Sequence, residues 1–231
     1  DTLAPAGYTI LFDQAYVNIV NENSISFTFA GAEIGTTYSY SIDDINAGTP
    51  AVTGTGTIAT ATDQIPGIDV SSLDDSTLTL TVYLTDNAGN QGTDATDNVD
   101  KDTISPNVIL SSLLSDPTNA NPIPMTATFS EDVTGFDISD LTIGNGIAGN
   151  FVIVSNSVYT FDITPIADGL VIADINGVAA QDLAGNDNTA ATQSSITYDG
   201  TTPTVSITST ETSPTNANPI PITITFSEEI A

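Results

Sequence analysis

The residues best equipped for chemistry in this chain are carboxylates and carboxamides gathered in short, glycine-bearing loops. Asp86-Asn-Ala-Gly-Asn90 and Asp182-Leu-Ala-Gly-Asn186 share the pattern Asp-x-Ala-Gly-Asn. Its glycine lets the chain turn tightly, so that side-chain and backbone oxygens can face one point. Hard oxygen donors in irregular geometry suit calcium, which takes roughly six to eight of them. The spacing is looser than that of an EF-hand loop, so the pattern points to a cation without defining its site. Other chemistries find little to work with. The chain has no histidine and no cysteine, and Lys101 is its single basic side chain, which leaves a serine or threonine nucleophile without a base. The pairs Asp43-Asp44 and Asp74-Asp75 have the chemistry to cleave glycosides, but they sit in short loops, with no tryptophan and no aromatic cleft to hold a sugar. The expectation is a protein that is not an enzyme. A formal charge of -28 repels phosphate and attracts cations, which excludes nucleic acid as a partner.

The elements that must position these loops are strands. Thr77-Leu-Thr-Leu-Thr-Val-Tyr-Leu84, Ser24-Ile-Ser-Phe-Thr-Phe29 and Val158-Tyr-Thr-Phe-Asp-Ile163 alternate polar and apolar residues, the period of a half-buried strand. Clusters of Gly, Asn and Asp separate such runs, and no capped stretch of helical period interrupts them. With 39% hydrophobic residues, the chain has enough apolar content for packed cores. Pro117-Thr-Asn-Ala-Asn-Pro-Ile-Pro124 returns unchanged as Pro214 to Pro221, 97 positions later. Asp-x3-Pro opens at Asp1, Asp102 and Asp199. This periodicity predicts modules over 1–101 and 102–198 and the first strands of a third over 199–231. About seven short strands per module read as an antiparallel β-sandwich with Greek-key connections. In the second module the strands are expected near 108–114, 122–129, 141–147, 151–155, 158–164, 170–178 and 189–198. Val108, Ile109, Phe129, Phe161, Ile163 and Ile172 are its predicted core.

The Asp-x3-Pro start, Phe129-Ser-Glu-Asp-Val-Thr-Gly-Phe136, Val158-Tyr-Thr-Phe-Asp-Ile-Thr-Pro165 with Ala-Asp-Gly169, and the closing Asp-x-Ala-Gly-Asn resemble the bacterial Ig-like tandem repeats of large surface adhesins. The resemblance covers the second module fully, the third as far as it goes, and the first more loosely. Within that group the chain resembles the repetitive gliding-motility adhesins of Bacteroidetes. It implies an all-β chain of tandem Ig-like sandwiches, an extracellular place on a bacterial cell surface, neighbouring modules of the same chain as partners, and calcium near the linkers.

An Ig-type sandwich brings the loop before its last strand, the loop after its second strand and the incoming linker to one pole. At the first junction this gathers Asp100, Asp102, Glu131, Asp132, Asp182, Asn186 and Asp187. At the top of the first module it gathers Asp1, Glu33, Asp86 and Asn90, and at the top of the third Asp199, Glu228 and Glu229. These are the candidate calcium ligands. Crowded carboxylates repel one another, and a divalent cation relieves that repulsion while fixing the angle between modules. The function expected is a stiff stalk that holds an adhesive tip away from the cell. The alternative is an adhesive module that binds glycan or a surface protein through the loops at the poles of the sandwich. The start Asp1-Thr-Leu-Ala-Pro5 is no signal peptide, and no run reaches the length of a transmembrane helix, so no direct membrane insertion is expected. Lys101 is read as a linker residue. Thr53-Gly-Thr-Gly-Thr57 resembles the spaced threonines of ice-binding faces, but is read as the solvent face of one strand. Tyr38, Tyr40, Tyr83 and Tyr159 have rings that could stack on sugars, but their alternating strand positions make core or sheet packing the reading taken.

Overall fold

The computed structural model describes residues 2–230; Asp1 lies outside the described residues. The first module holds β1 (Thr9–Phe12), β2 (Tyr16–Val17), β3 (Ile25–Ala30), β4 (Thr37–Asp43), β5 (Val52–Thr57), β6 (Gln64–Ile68), β7 (Thr77–Thr85) and β8 (Ala95–Lys101). They form sheets β1-β3-β6 and β2-β8-β7-β4-β5. The period-two pattern is what folds them: Leu78, Leu80, Val82 and Leu84 of β7 are wholly buried, while the threonines between them face outward. Phe27 and Phe29 meet edge to face at 5.5 Å in the centre, and each large apolar side chain so buried stabilises the module by about 1.5–3 kcal/mol.

The second module holds β9 (Val108–Ser111), β10 (Ile123–Phe129), β11 (Leu141–Gly144), β12 (Gly146–Ser155), β13 (Val158–Pro165), β14 (Gly169–Ile175) and β15 (Ser194–Tyr198), with one 3-10 turn at Ile138–Asp140. Sheets β12-β13-β10-β9 and β11-β14-β15 share one core, in the arrangement of an Ig constant-type sandwich. The first module departs from it. Its β5 pairs with β4 on the larger sheet, whereas β12 pairs with β13 on the other. β16 (Val205–Thr208) and β17 (Thr223–Phe226) pair with each other in a two-stranded sheet, with Val205, Ile207, Ile224 and Phe226 exposed.

Three expectations need correcting. Ile109 is exposed and Ile172 half-buried; Val108, Leu110, Val171, Ala173 and Ile175 take the core. Both strands are short and apolar at consecutive positions, so alternation alone leaves their phase open. The expected strand near 151–155 begins at Gly146, directly after β11. Lys101 is no free linker residue. It ends β8 and is 4% exposed; its Nζ reaches Glu22 Oε2 at 3.0 Å and donates to the carbonyls of Val70 at 3.0 Å and Leu73 at 2.7 Å.

Candidate metal centre at the module junction

The Asp-x-Ala-Gly-Asn loops close on themselves in the same way in both modules. Asp182 Oδ1 accepts from the Asn186 backbone N and its Oδ2 from Asn186 Nδ2, both at 2.8 Å. Asp86 repeats these two bonds with Asn90, again at 2.8 Å. Gly185 and Gly89 sit at φ +89° and +90°, backbone that only glycine adopts without strain. In the first module the Asn90 side chain and backbone, the leading donors, hold the Asp86 carboxyl below its ordinary value. The motif thus builds a rigid turn before it does anything else.

In the second module that turn is carried to the linker. The Thr134 and Gln181 backbones exchange bonds of 2.7 and 3.0 Å, tying the loop after β10 to the loop after β14. Glu131 follows Ser130, whose N donates to the Asn107 carbonyl at 2.9 Å and whose hydroxyl accepts from Asn107 N at 3.1 Å. Asp102 leaves β8 with its N donating to the Val17 carbonyl at 2.9 Å. The result gathers Asp102, Glu131 and Asp182 so that one carboxylate oxygen from each lies within 4.8 Å of the others. Asp182 is buried, and the other two are half-buried. Burial first, then the charges of Asp102 and Asp182, push the Glu131 carboxyl above its ordinary value. Two oxygens on one calcium, each at about 2.4 Å, are at most about 4.8 Å apart. The trio therefore fits one hard cation, which water and backbone oxygens would complete.

The other predicted ligands go elsewhere. Asn186 is fully buried and spends its whole carboxamide on bracing: Oδ1 accepts from Ile19 N at 3.1 Å, and Nδ2 also donates to the Asp102 carbonyl at 2.8 Å. Asp100 faces out on β8 and accepts from Thr77. Asp132 is exposed beside Asn156, and Asp187 accepts from Gln181 Nε2. Glu33 is exposed, its backbone oxygen turned to Thr36. At the second junction Asp199, Glu228 and Glu229 line one cleft of about 550 Å³ with Pro117, Thr118 and Asn119, and Glu228 Oε1 is buried without a hydrogen-bond partner.

Asn18 escaped the sequence reading. Its Nδ2 donates to the Ala184 carbonyl at 2.7 Å, and a Cβ on Gly185 would lie 3.3 Å from it. The available signal was the spacing. Asp199 N donates to the Thr118 carbonyl at 2.9 Å as Asp102 N does to Val17, so Val17-Asn18 corresponds to Thr118-Asn119. In the second module the Pro-Thr-Asn-Ala-Asn-Pro loop thus receives the outgoing chain at Asp199 through the Thr118 carbonyl. The linker itself is pinned along its length: Thr103 is held by Asp75 at 2.9–3.0 Å, and the Pro106 carbonyl accepts from Thr189 N at 2.8 Å.

Residues 102–198, the whole second module, match the family model of the bacterial Ig-like domain. Among solved structures the chain is similar to part of a 1.5-MDa bacterial ice-binding adhesin, at 17% identity and a TM-score of 0.53, covering 90% of this chain and 70% of that one. It also matches a tetra-tandem repeat in the extending region of a large adhesion protein at 20% identity and a TM-score of 0.35, covering 96% of this chain and 56% of that one. A third match is invasin, a bacterial integrin-binding protein, at 9% identity and a TM-score of 0.35, covering 89% and 43%. At these identities the first likeness is one of fold. Comparison with curated proteins gives no match.

Proposed function

We propose that the chain is a stalk segment of a bacterial surface adhesin, extended outside the cell, whose module junctions are stiffened by calcium. The observation that carries this reading is the convergence of Asp102, Glu131 and Asp182 at the linker, with oxygens within 4.8 Å, beside the Asn186 brace. Asp102 belongs to the linker, while Glu131 and Asp182 belong to two different loops of the second module. An ion shared by the three would tie the incoming linker to both loops. Bound there, calcium supplies neutralising charge and fixed oxygen geometry. The protein's own contribution is to hold the three carboxylates in place, with Asn18 and Ile19 N bracing the Ala184–Asn186 turn beside them.

The stalk reading is favoured over binding by polar loops because Thr118, in the repeated loop, gives its carbonyl to Asp199 N at 2.9 Å; a loop engaged by the next module is poorly placed to receive a separate ligand. Membership among gliding-motility adhesins rests on the sequence resemblance alone. Titration calorimetry of the chain with calcium tests the centre. Saturable binding that Glu131→Gln abolishes or weakens at least tenfold is expected. Absence of binding, or binding untouched by Glu131→Gln, overturns it.

A further inference from the structure

We propose that the outer face of the five-stranded sheet in the first module is a binding site for a neutral carbohydrate chain, separate from the junctions. The face is built by register. Ser39 lies between Thr55 and Tyr83, and Ser41 between Thr53 and Thr81. All six point away from the core, because Tyr38, Tyr40 and Ile42 alternate with the serines and pack inward. The short serines on the middle strand, flanked by longer side chains, leave an open trough of about 650 Å³ that Gln91 and Asp94 also line. That is on the scale of ligand clefts, roughly 300–1,000 Å³, and gives room for a short oligosaccharide.

The chemistry of the lining selects the ligand. Thr55 Oγ1 donates to the Tyr38 carbonyl at 2.7 Å. The hydroxyls of Ser39, Ser41, Thr53, Thr81 and Tyr83 are not engaged in that way, and each can donate and accept. Such groups, with the Gln91 carboxamide, match the paired donor and acceptor character of sugar hydroxyls. The Tyr83 ring is half-exposed, offering the apolar face of a sugar a flat surface. In a chain with 29 acidic residues, these two rows carry no charge and Asp94 is the one carboxylate of the lining, an acceptor for sugar hydroxyls that repels anionic chains. Net charge disfavours sulfated or uronic chains and leaves neutral ones.

The feature is particular to this module. Gly54 and Gly56 leave this room because a Cβ at Gly54 would run into the Tyr40 ring and one at Gly56 into the phenol end of Tyr38. Their absence of side chains lets the tyrosines tuck under β5, so that Thr53 and Thr55 flank the serines. In the second module no strand occupies the place of β5, and the corresponding face pairs Ile172 with Gly144 and Ser195.

The test is calorimetric titration of the whole 231-residue chain with three neutral hexasaccharides, an α-1,4-glucan, a β-1,4-glucan and a β-1,4-mannan, with a heparin hexasaccharide as the anionic comparison. Binding of at least one neutral chain is expected, in the micromolar to millimolar range. Tyr83→Ala should weaken it tenfold or more and Gln91→Ala several-fold, while Ser195→Ala on the second module leaves it unchanged. Thermal melts of each variant confirm folding, and exposed Gln91 serves if Tyr83→Ala unfolds. Failure of all three chains to bind at millimolar concentration overturns the proposal. So does neutral binding that both trough variants leave intact, or heparin bound as tightly as the neutral chains. Each of these outcomes is independent of calcium at the junction.

Discussion

Replacing Glu131 by glutamine should change stability in opposite senses with and without calcium. The oxygens of Glu131, Asp102 and Asp182 lie within 4.8 Å of one another. At that separation two unit charges repel by about 3.5 kcal/mol at an effective dielectric of 20 and about 0.9 kcal/mol at 80. Glu131 and Asp102 are half-exposed, so screening brings each pair near the lower figure, and two pairs sum to about 1–2 kcal/mol. In chelator, Glu131→Gln removes this repulsion and should raise the melting temperature of the second module by about 5–15 °C. Calcium at a hundredfold excess over its dissociation constant should stabilise the wild type by about 2.7 kcal/mol. The variant, short of one ligand, should gain far less, so the two melting temperatures converge or cross. Scanning calorimetry of both proteins in chelator and in calcium measures this. A variant no more stable than wild type in chelator, or one with an equal calcium shift, refutes the reasoning.

Asn186→Ala removes the bonds to Ile19 N and the Asp102 carbonyl from a fully buried position, leaving their partners unsatisfied. A loss of about 2–4 kcal/mol is expected in denaturant melts, with looser coupling between the first two modules. Lys101→Met strands the Glu22 carboxylate and the Val70 and Leu73 carbonyls. Breaking one side of a buried pair should cost the first module about 3–5 kcal/mol by urea titration. In chelator, stability should pass through a maximum as pH falls. The Glu131 carboxyl is raised above its ordinary 4.5, so its repulsion is present at neutral pH and relieved as pH drops through the raised value. Asp86 and Asp63 are held below their ordinary 3.8, Asp86 mainly by Asn90 and Asp63 mainly by Thr60. Their contribution, full above 3.8, is lost as pH falls through the lowered values. A monotonic decline in melting temperature from pH 7 downward would contradict the assignment of Glu131.

The β-sandwich class was legible because period two and turn chemistry are local signals, and the bacterial Ig-like assignment followed from motifs of the second module. The phase of a strand was not legible where apolar residues run consecutively, as at Val108-Ile109-Leu110 and Val171-Ile172; only pairing partners decide which face is buried. Of the candidate ligands, Asp102, Glu131 and Asp182 came together because sandwich topology fixes which loops share a pole. The bracing part of Asn186 was not legible because it depends on the Ile19 amide of the preceding module, and no local pattern encodes that docking. The same holds for Lys101. Its position beside a linker suggested exposure, but the carbonyls of Val70 and Leu73 fold over it. Tyr83 shows the limit of alternation: it lies between buried Val82 and Leu84 on β7 and so faces the outer side of the sheet, whereas Tyr38 and Tyr40 on β4 pack against the core.

Small-angle scattering of the 231-residue chain in calcium and then in chelator tests the central claim most directly. A rod-like profile is expected in calcium, with chelation lowering the radius of gyration or broadening the distance distribution as the junctions loosen, and with Glu131→Gln behaving in calcium as the wild type does in chelator. Superimposable profiles in calcium and chelator would contradict a cation-stiffened stalk.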